Sequence, residues 1–345
     1  MIAAFRDGLG RVRRAPALVA GLWLSTLALA LGPALVLHSM IEEHLGSSLM
    51  ADQAAAGVNF DWWNEFLAQA SGLGQTFVPA ILGFASILSN LSRFADHQTL
   101  PPVLVVVVST QLLLSVFLAG GLLDRLARDR VVGAAAFFSA CGVWGWRFLR
   151  LAAIAVPFYT FLFGTVHPWL FEELLADLTR NVSVERQAFA MRFTFYAVFT
   201  ALVCAVNVLF DYAKIRAVVE DRRSMFGALG AGTRFVLRHP AKTVTLYVLN
   251  LGLAALVAGA YYVAAPWAGG SALGAFAIGQ AYIVLRVFVR LQFMASQTSL
   301  FQSRLAHAGY VAHPLPRWPD SPAADAIQLL VEPAGTRGGE RTPSS

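Results

Sequence analysis

With 345 residues, 57% of them hydrophobic and only 13% charged, the chain departs from the soluble mix, in which about a quarter of residues are charged. Its net charge of +6 comes from basic residues that flank apolar stretches. That pattern fits attraction to anionic lipid at about 1 kcal/mol per residue, and it argues against nucleic acid as a partner. Cys141 and Cys204 lie in apolar runs without CxxC spacing, which argues against a disulfide framework or a cysteine metal site.

A helix crosses a hydrocarbon core about 30 Å thick with roughly 20 apolar residues. Six segments meet that length: 16–37, 101–123, 148–170, 193–210, 243–265 and 272–290. Their apolarity is continuous rather than alternating, so the expected fold is an all-α membrane protein and not a barrel. The first run follows Arg11, Arg13 and Arg14 but is too long for a signal h-region, and it reads as a retained anchor.

Segment 38–100 is too long for a simple loop. Asp61-Trp62-Trp63-Asn64 sets paired indoles beside charge, as at a membrane interface. The moderately apolar stretch 76–91 predicts an interfacial or re-entrant helix. A seventh span there would move Arg125, Arg128 and Arg130 to the outer side. A further outer helix is expected near 172–179. On the inner side, 212–226 is expected to form a basic amphipathic helix with Ile215, Val218, Val219 and Phe226 on one side. The Pro-, Gly- and Ser-rich end, 307–345, reads as a disordered cytoplasmic tail.

Orientation follows from the positive-inside rule. Six spans with a cytoplasmic N-terminus place 22 of the 26 Lys and Arg residues inside, leaving Arg93, Arg180, Arg186 and Arg192 outside. Both termini are then cytoplasmic. Heavy use of Arg over Lys fits a bacterial inner membrane, with anionic lipids of the cytoplasmic leaflet and a further membrane protein as expected partners.

The chain also reads as three parallel-repeat helical hairpins, each preceded by an amphipathic interfacial helix. A shift of 87 residues aligns Asp124 with Asp211 and Gly145-Trp146-Arg147-Phe148 with Gly232-Thr233-Arg234-Phe235. Arg14-Ala15-Pro16 resembles Arg238-His239-Pro240 at the entries to the first and fifth spans.

No GxxxxGK[ST], GxSxG or HExxH motif is present, so nucleotide and hydrolase chemistry is disfavoured and no cofactor is expected. Two constellations stand out. On the outer side, His38 and Glu42 share a helix face, and His167 and Glu172 could complete a metal site if two hairpins meet. The plainer reading is ordinary interfacial polar groups. On the inner side, Asp124 and Asp211 end two returning spans, while Arg286 and Arg290 sit near the end of the third. These four form either an ionic cluster facing the bundle or snorkelling charges with local partners.

The six-span layout, with the segment from Asp211 to Pro240, resembles bacterial six-helix integral membrane proteins of the kind fused to glycerophosphodiester phosphodiesterases. No phosphodiesterase motif accompanies it, so the resemblance implies a fold and no activity. The leading expectation is a non-catalytic membrane protein that organises, regulates or accompanies a partner or lipid. The alternatives are a permease for a small or amphiphilic solute, or an intramembrane enzyme using the outer His and Glu groups.

Overall fold

The computed structural model describes residues 1–46, 48–56, 59–77, 92–93, 95–99, 102–268 and 271–304. The helix expected over 76–91 lies outside them apart from its first two residues, as does the whole 307–345 tail. Among the described residues the chain is helical, with no strand. The order is α1 (Ile2–Arg13), α2 (Pro16–Gly46), α3 (Ala51–Ala56), α4 (Phe60–Gln69), α5 (Pro102–Arg128) and α6 (Ala134–Phe161). There follow α7 (Leu175–Thr179), α8 (Glu185–Val219), α9 (Met225–Arg238), α10 (Pro240–Ala264) and α11 (Ala272–Gln302). Six helices are long and apolar enough to cross a membrane: α2, α5, α6 with its continuation, α8, α10 and α11.

Proline decides where spans begin. Pro16 and Pro240 open α2 and α10, where a missing N–H costs nothing and a fixed φ favours the first helical turn. No proline separates 134–147 from the third span, so α6 runs unbroken from Ala134 into that span, and the amphipathic helix expected before it is not a separate element. Beyond Phe161 the same helix continues through wide π turns, Leu162–Val166 and Trp169–Leu174, on either side of Pro168.

The amphipathic helix expected over 212–226 is not an element of its own. Tyr212 to Val219 form the end of α8, where Ile215, Val218 and Val219 are buried. The chain then turns at Asp221, whose φ is 45°, and Ser224 caps α9 by accepting from the Gly227 N–H. Phe226 belongs to α9 and is 75% exposed, so it shares no face with the other three.

The tightest packing lies at the end of the bundle that carries α1 and α9, called here the basic face. Gly8 of α1 meets α11 so closely that a Cβ would fall 2.7 Å from the Ser296 backbone nitrogen. Gly232 of α9 meets the Ala213 nitrogen of α8 at 2.9 Å on the same measure. Between α5 and α6, Cβ atoms at Gly120 and Gly121 would lie 2.5 Å from Trp144 Cβ and 2.6 Å from Cys141 Sγ. Small residues admit such approaches in membrane bundles, where dispersion rather than water exclusion holds helices together. Buried Val12, Leu122, Leu126, Tyr212, Ala213, Leu291 and Phe301 fill the spaces around these contacts.

Away from the basic face the helices keep broad apolar surfaces exposed, among them Leu35, Val106, Leu113, Phe193 and Leu256. So much exposed apolar surface is suited to lipid. The isolated polar groups of the spans tie helices together. Asn250 donates to Ser296 Oγ at 2.9 Å, Trp23 Nε1 to Gln280 Oε1 at 2.9 Å, and the Tyr159 hydroxyl to Asn207 Oδ1.

Candidate functional site

Five spans enclose a cavity of about 540 Å³ that opens at the bundle surface beside the exposed Leu112, Arg286 and Arg290. Its volume lies within the usual range for small-molecule sites. Along α5 the lining runs from Leu112 to Leu122, a rise of roughly 15 Å, about the thickness of one hydrocarbon leaflet. Val116, Ala152, Ala155 and Phe293 make much of the wall apolar. Ser115, Tyr159, Asn207 and Tyr247 add hydroxyl and amide groups.

The charged part of the lining is Asp211, Lys214, Arg286 and Arg290. Asp211 is satisfied by its neighbours: Lys214 Nζ lies 2.7 Å from Oδ1, and Gln297 Nε2 donates to Oδ2 at 3.4 Å. Among the described residues, neither arginine is ion-paired or hydrogen-bonded to another side chain. Three cations and one carboxylate therefore leave two uncompensated positive charges on the wall.

The structure thus gathers three of the four residues expected in an inner ionic cluster around one cavity and leaves the fourth outside it. Asp124 pairs locally with Arg128 at 2.9 Å, four residues on. Arg290 lines the same cavity as Asp211, with no ion pair between them among the described residues. Lys214 takes the carboxylate instead, and the sequence carries that signal as an i, i+3 pair. Tyr159 and Tyr247 carry no such signal, because an aromatic in an apolar run reads equally as core.

The outer candidates sit apart. His38 Nδ1 is 3.5 Å from Glu42 Oε2, with both side chains about three-quarters exposed. His44 instead accepts from Trp62 Nε1 at 3.0 Å, in an aromatic group with Phe66. His167 is buried, donates from Nε2 to the Ala95 carbonyl at 2.7 Å, and packs on Phe171 and Phe199. Glu172 and Glu173 are exposed. Among the described residues, no three His, Cys, Asp or Glu side chains gather as a metal site would require.

What His167 does hold is the segment around Asp96. The Tyr196 hydroxyl and Ser92 Oγ both donate to the Asp96 carboxylate, and these bonds keep its pKa below the ordinary value. Such a group stabilises the folded form fully above about pH 4 and loses that contribution as pH falls through its lowered folded value. The protection factors of the amides at residues 95–99, corrected for the intrinsic pH dependence of exchange, should therefore be lower in wild type at pH 3 than at pH 6. Asp96→Asn should show the low protection at both. Equal protection of wild type and variant at pH 6 would remove the carboxylate from this attachment.

No family model, no curated protein and no solved structure matches this chain.

Proposed function

We propose that the chain is a non-catalytic multi-pass membrane protein that holds an amphiphilic membrane component and so organises or accompanies a lipid. The cavity carries this reading: it combines a largely apolar wall with four charged side chains and several hydroxyl groups, within six helices compatible with a membrane bundle. The non-catalytic part rests on the lack of nucleotide and hydrolase motifs in the sequence. The outer histidines, each with separate partners, lend nothing to an intramembrane enzyme.

Purified in mild detergent, the protein should retain about one amphiphile per chain. Ala155→Trp, which fills the cavity wall, should reduce that retention several-fold while the protein stays monodisperse. Retention unchanged by the substitution would sink the reading. In proteoliposomes, fast movement of a labelled phospholipid between leaflets that Ala155→Trp abolishes would establish the permease alternative instead.

Orientation and repeat belong to the same reading. The basic face is read as cytoplasmic in a bacterial inner membrane, in line with the positive-inside count. A cysteine at exposed Arg223 should resist an impermeant thiol reagent in intact cells, while cysteines at exposed Asp61 and Glu173 should react. Labelling at position 223 would reverse the bundle. For the repeat, α1, the first half of α6, and α9 act as three amphipathic helices, each packed on a returning span: α11, α5 and α8. Arg14 with Asp129 at 2.6 Å and Arg147 with Asp221 at 2.7 Å recur in two of the units. Both aspartates have positive φ just past a helix end.

A further inference from the structure

The two uncompensated arginines of the cavity identify what kind of amphiphile it fits. Arg286 and Arg290 are four residues apart on α11, so their side chains leave one face of the helix together. Two like charges at that spacing disfavour each other. An arginine in the apolar depth of a bilayer is costly unless something compensates it. The nearby carboxylate is already engaged by Lys214 and Gln297. A phosphate between the guanidinium groups would supply the missing charge, and arginine's planar donors match phosphate oxygens in pairs. The rest of the wall fixes the ligand's other half. From Leu112 to Leu122 on α5, with Ala152, Ala155 and Phe293 beside it, the wall offers a largely apolar track about one leaflet long, which a free inorganic phosphate would leave empty.

We infer that the cavity is a binding site for an anionic bilayer phospholipid, its phosphate held by Arg286 and Arg290 and its acyl chains along the wall of α5 and α6. This rests on the reading of the cavity as an amphiphile site and adds the headgroup class. A zwitterionic lipid presents the same phosphate but brings a cation toward Lys214 and the arginines, so it should bind less well. Diacylglycerol has chains and no phosphate.

Native mass spectrometry of the delipidated full chain, exposed to phosphatidylglycerol, phosphatidylcholine and diacylglycerol of equal chain length, tests the site. Wild type should retain one phosphatidylglycerol at least tenfold over phosphatidylcholine, with diacylglycerol weakest. The double variant Arg286→Gln, Arg290→Gln should bring the two phospholipids to near parity, and Arg286→Lys, Arg290→Lys should restore part of the preference. The wild-type ranking needs no variant, so it stands as a test even if the glutamine pair folds poorly. Lipid retained without charge preference, or a preference that survives the glutamine pair, would overturn the headgroup assignment and leave the amphiphile reading intact. Loss of all lipid from wild type would overturn both. Displacement of the lipid by millimolar inorganic phosphate alone would reassign the arginines to a free anion.

Discussion

Gly8→Ala is expected to lower the stability of the detergent-solubilised protein by about 1–3 kcal/mol, as overpacking of a filled core does. The added Cβ would meet the Ser296 backbone nitrogen, Cα and Cβ at 2.7, 2.8 and 2.9 Å. Two of those atoms are backbone, so no rotamer change relieves the contact. Either α1 lifts away from α11 or the span itself shifts. Lifting α1 would also break the bond from Gln292 Nε2 to the Phe5 carbonyl at 2.9 Å. Gly252→Ala is the control, since a Cβ added there would meet nothing within 4 Å. A helical Gly→Ala change in such open space should be neutral or stabilising. Equal melting temperatures for the two variants would show that α1 does not depend on the close contact.

Arg11→Met should cost about 1.5–3 kcal/mol, the range for hydrogen bonds to a charged group. The Arg11 side chain is only 12% exposed and pairs with Asp7 at 2.8 Å. Its Nη1 also donates to the Leu126 carbonyl at 2.9 Å and to Gln302 Oε1 at 2.8 Å. Gln302 in turn donates to the Ala127 carbonyl at 2.9 Å. Together they satisfy two of the carbonyls that the end of α5 leaves without helical partners. Methionine keeps the apolar stem and removes the donors. Because Arg11 and Gln302 share one network, Arg11→Met with Gln302→Ala should destabilise by less than the sum of the single changes. A change within about 0.5 kcal/mol for Arg11→Met, as at an ordinary surface site, would mean that water replaces the clasp without loss.

How much of this was legible in the sequence depends on how many helices a feature involves. The six spans were legible, because the length of an apolar run belongs to one segment alone. So were the starts at Pro16 and Pro240, since proline acts on its own backbone. The unbroken α6 and the merging of Tyr212–Val219 into α8 were not. Basic residues suggest a membrane boundary, but a helix passes through them unless something stops it. At the cavity, Asp211, Arg286 and Arg290 were legible because a charge in an apolar run needs a reason. The contributions of Ser115, Tyr159 and Tyr247 depend on how three other helices are rotated, which no local pattern encodes. The separate fates of His38 and His167 are of the same kind.

The docking of α1 on α11 sets an order of events during synthesis. Its hydrogen bonds join residues 287 and 291 positions apart, Phe5 with Gln292 and Arg11 with Gln302. At roughly 5–20 residues per second, the first helix waits on the order of a quarter of a minute to a minute for its partner to emerge. Through that interval Ala4, Gly8 and Val12 lack the span that will cover them, and the bilayer surface can shelter their apolar face. Assembly thus finishes at the seam between α1 and α11, whose hydrogen bonds have the highest sequence separation among the described residues and so are the slowest to be found by search. A chain stalled before α11 would hold five spans with the seam still open.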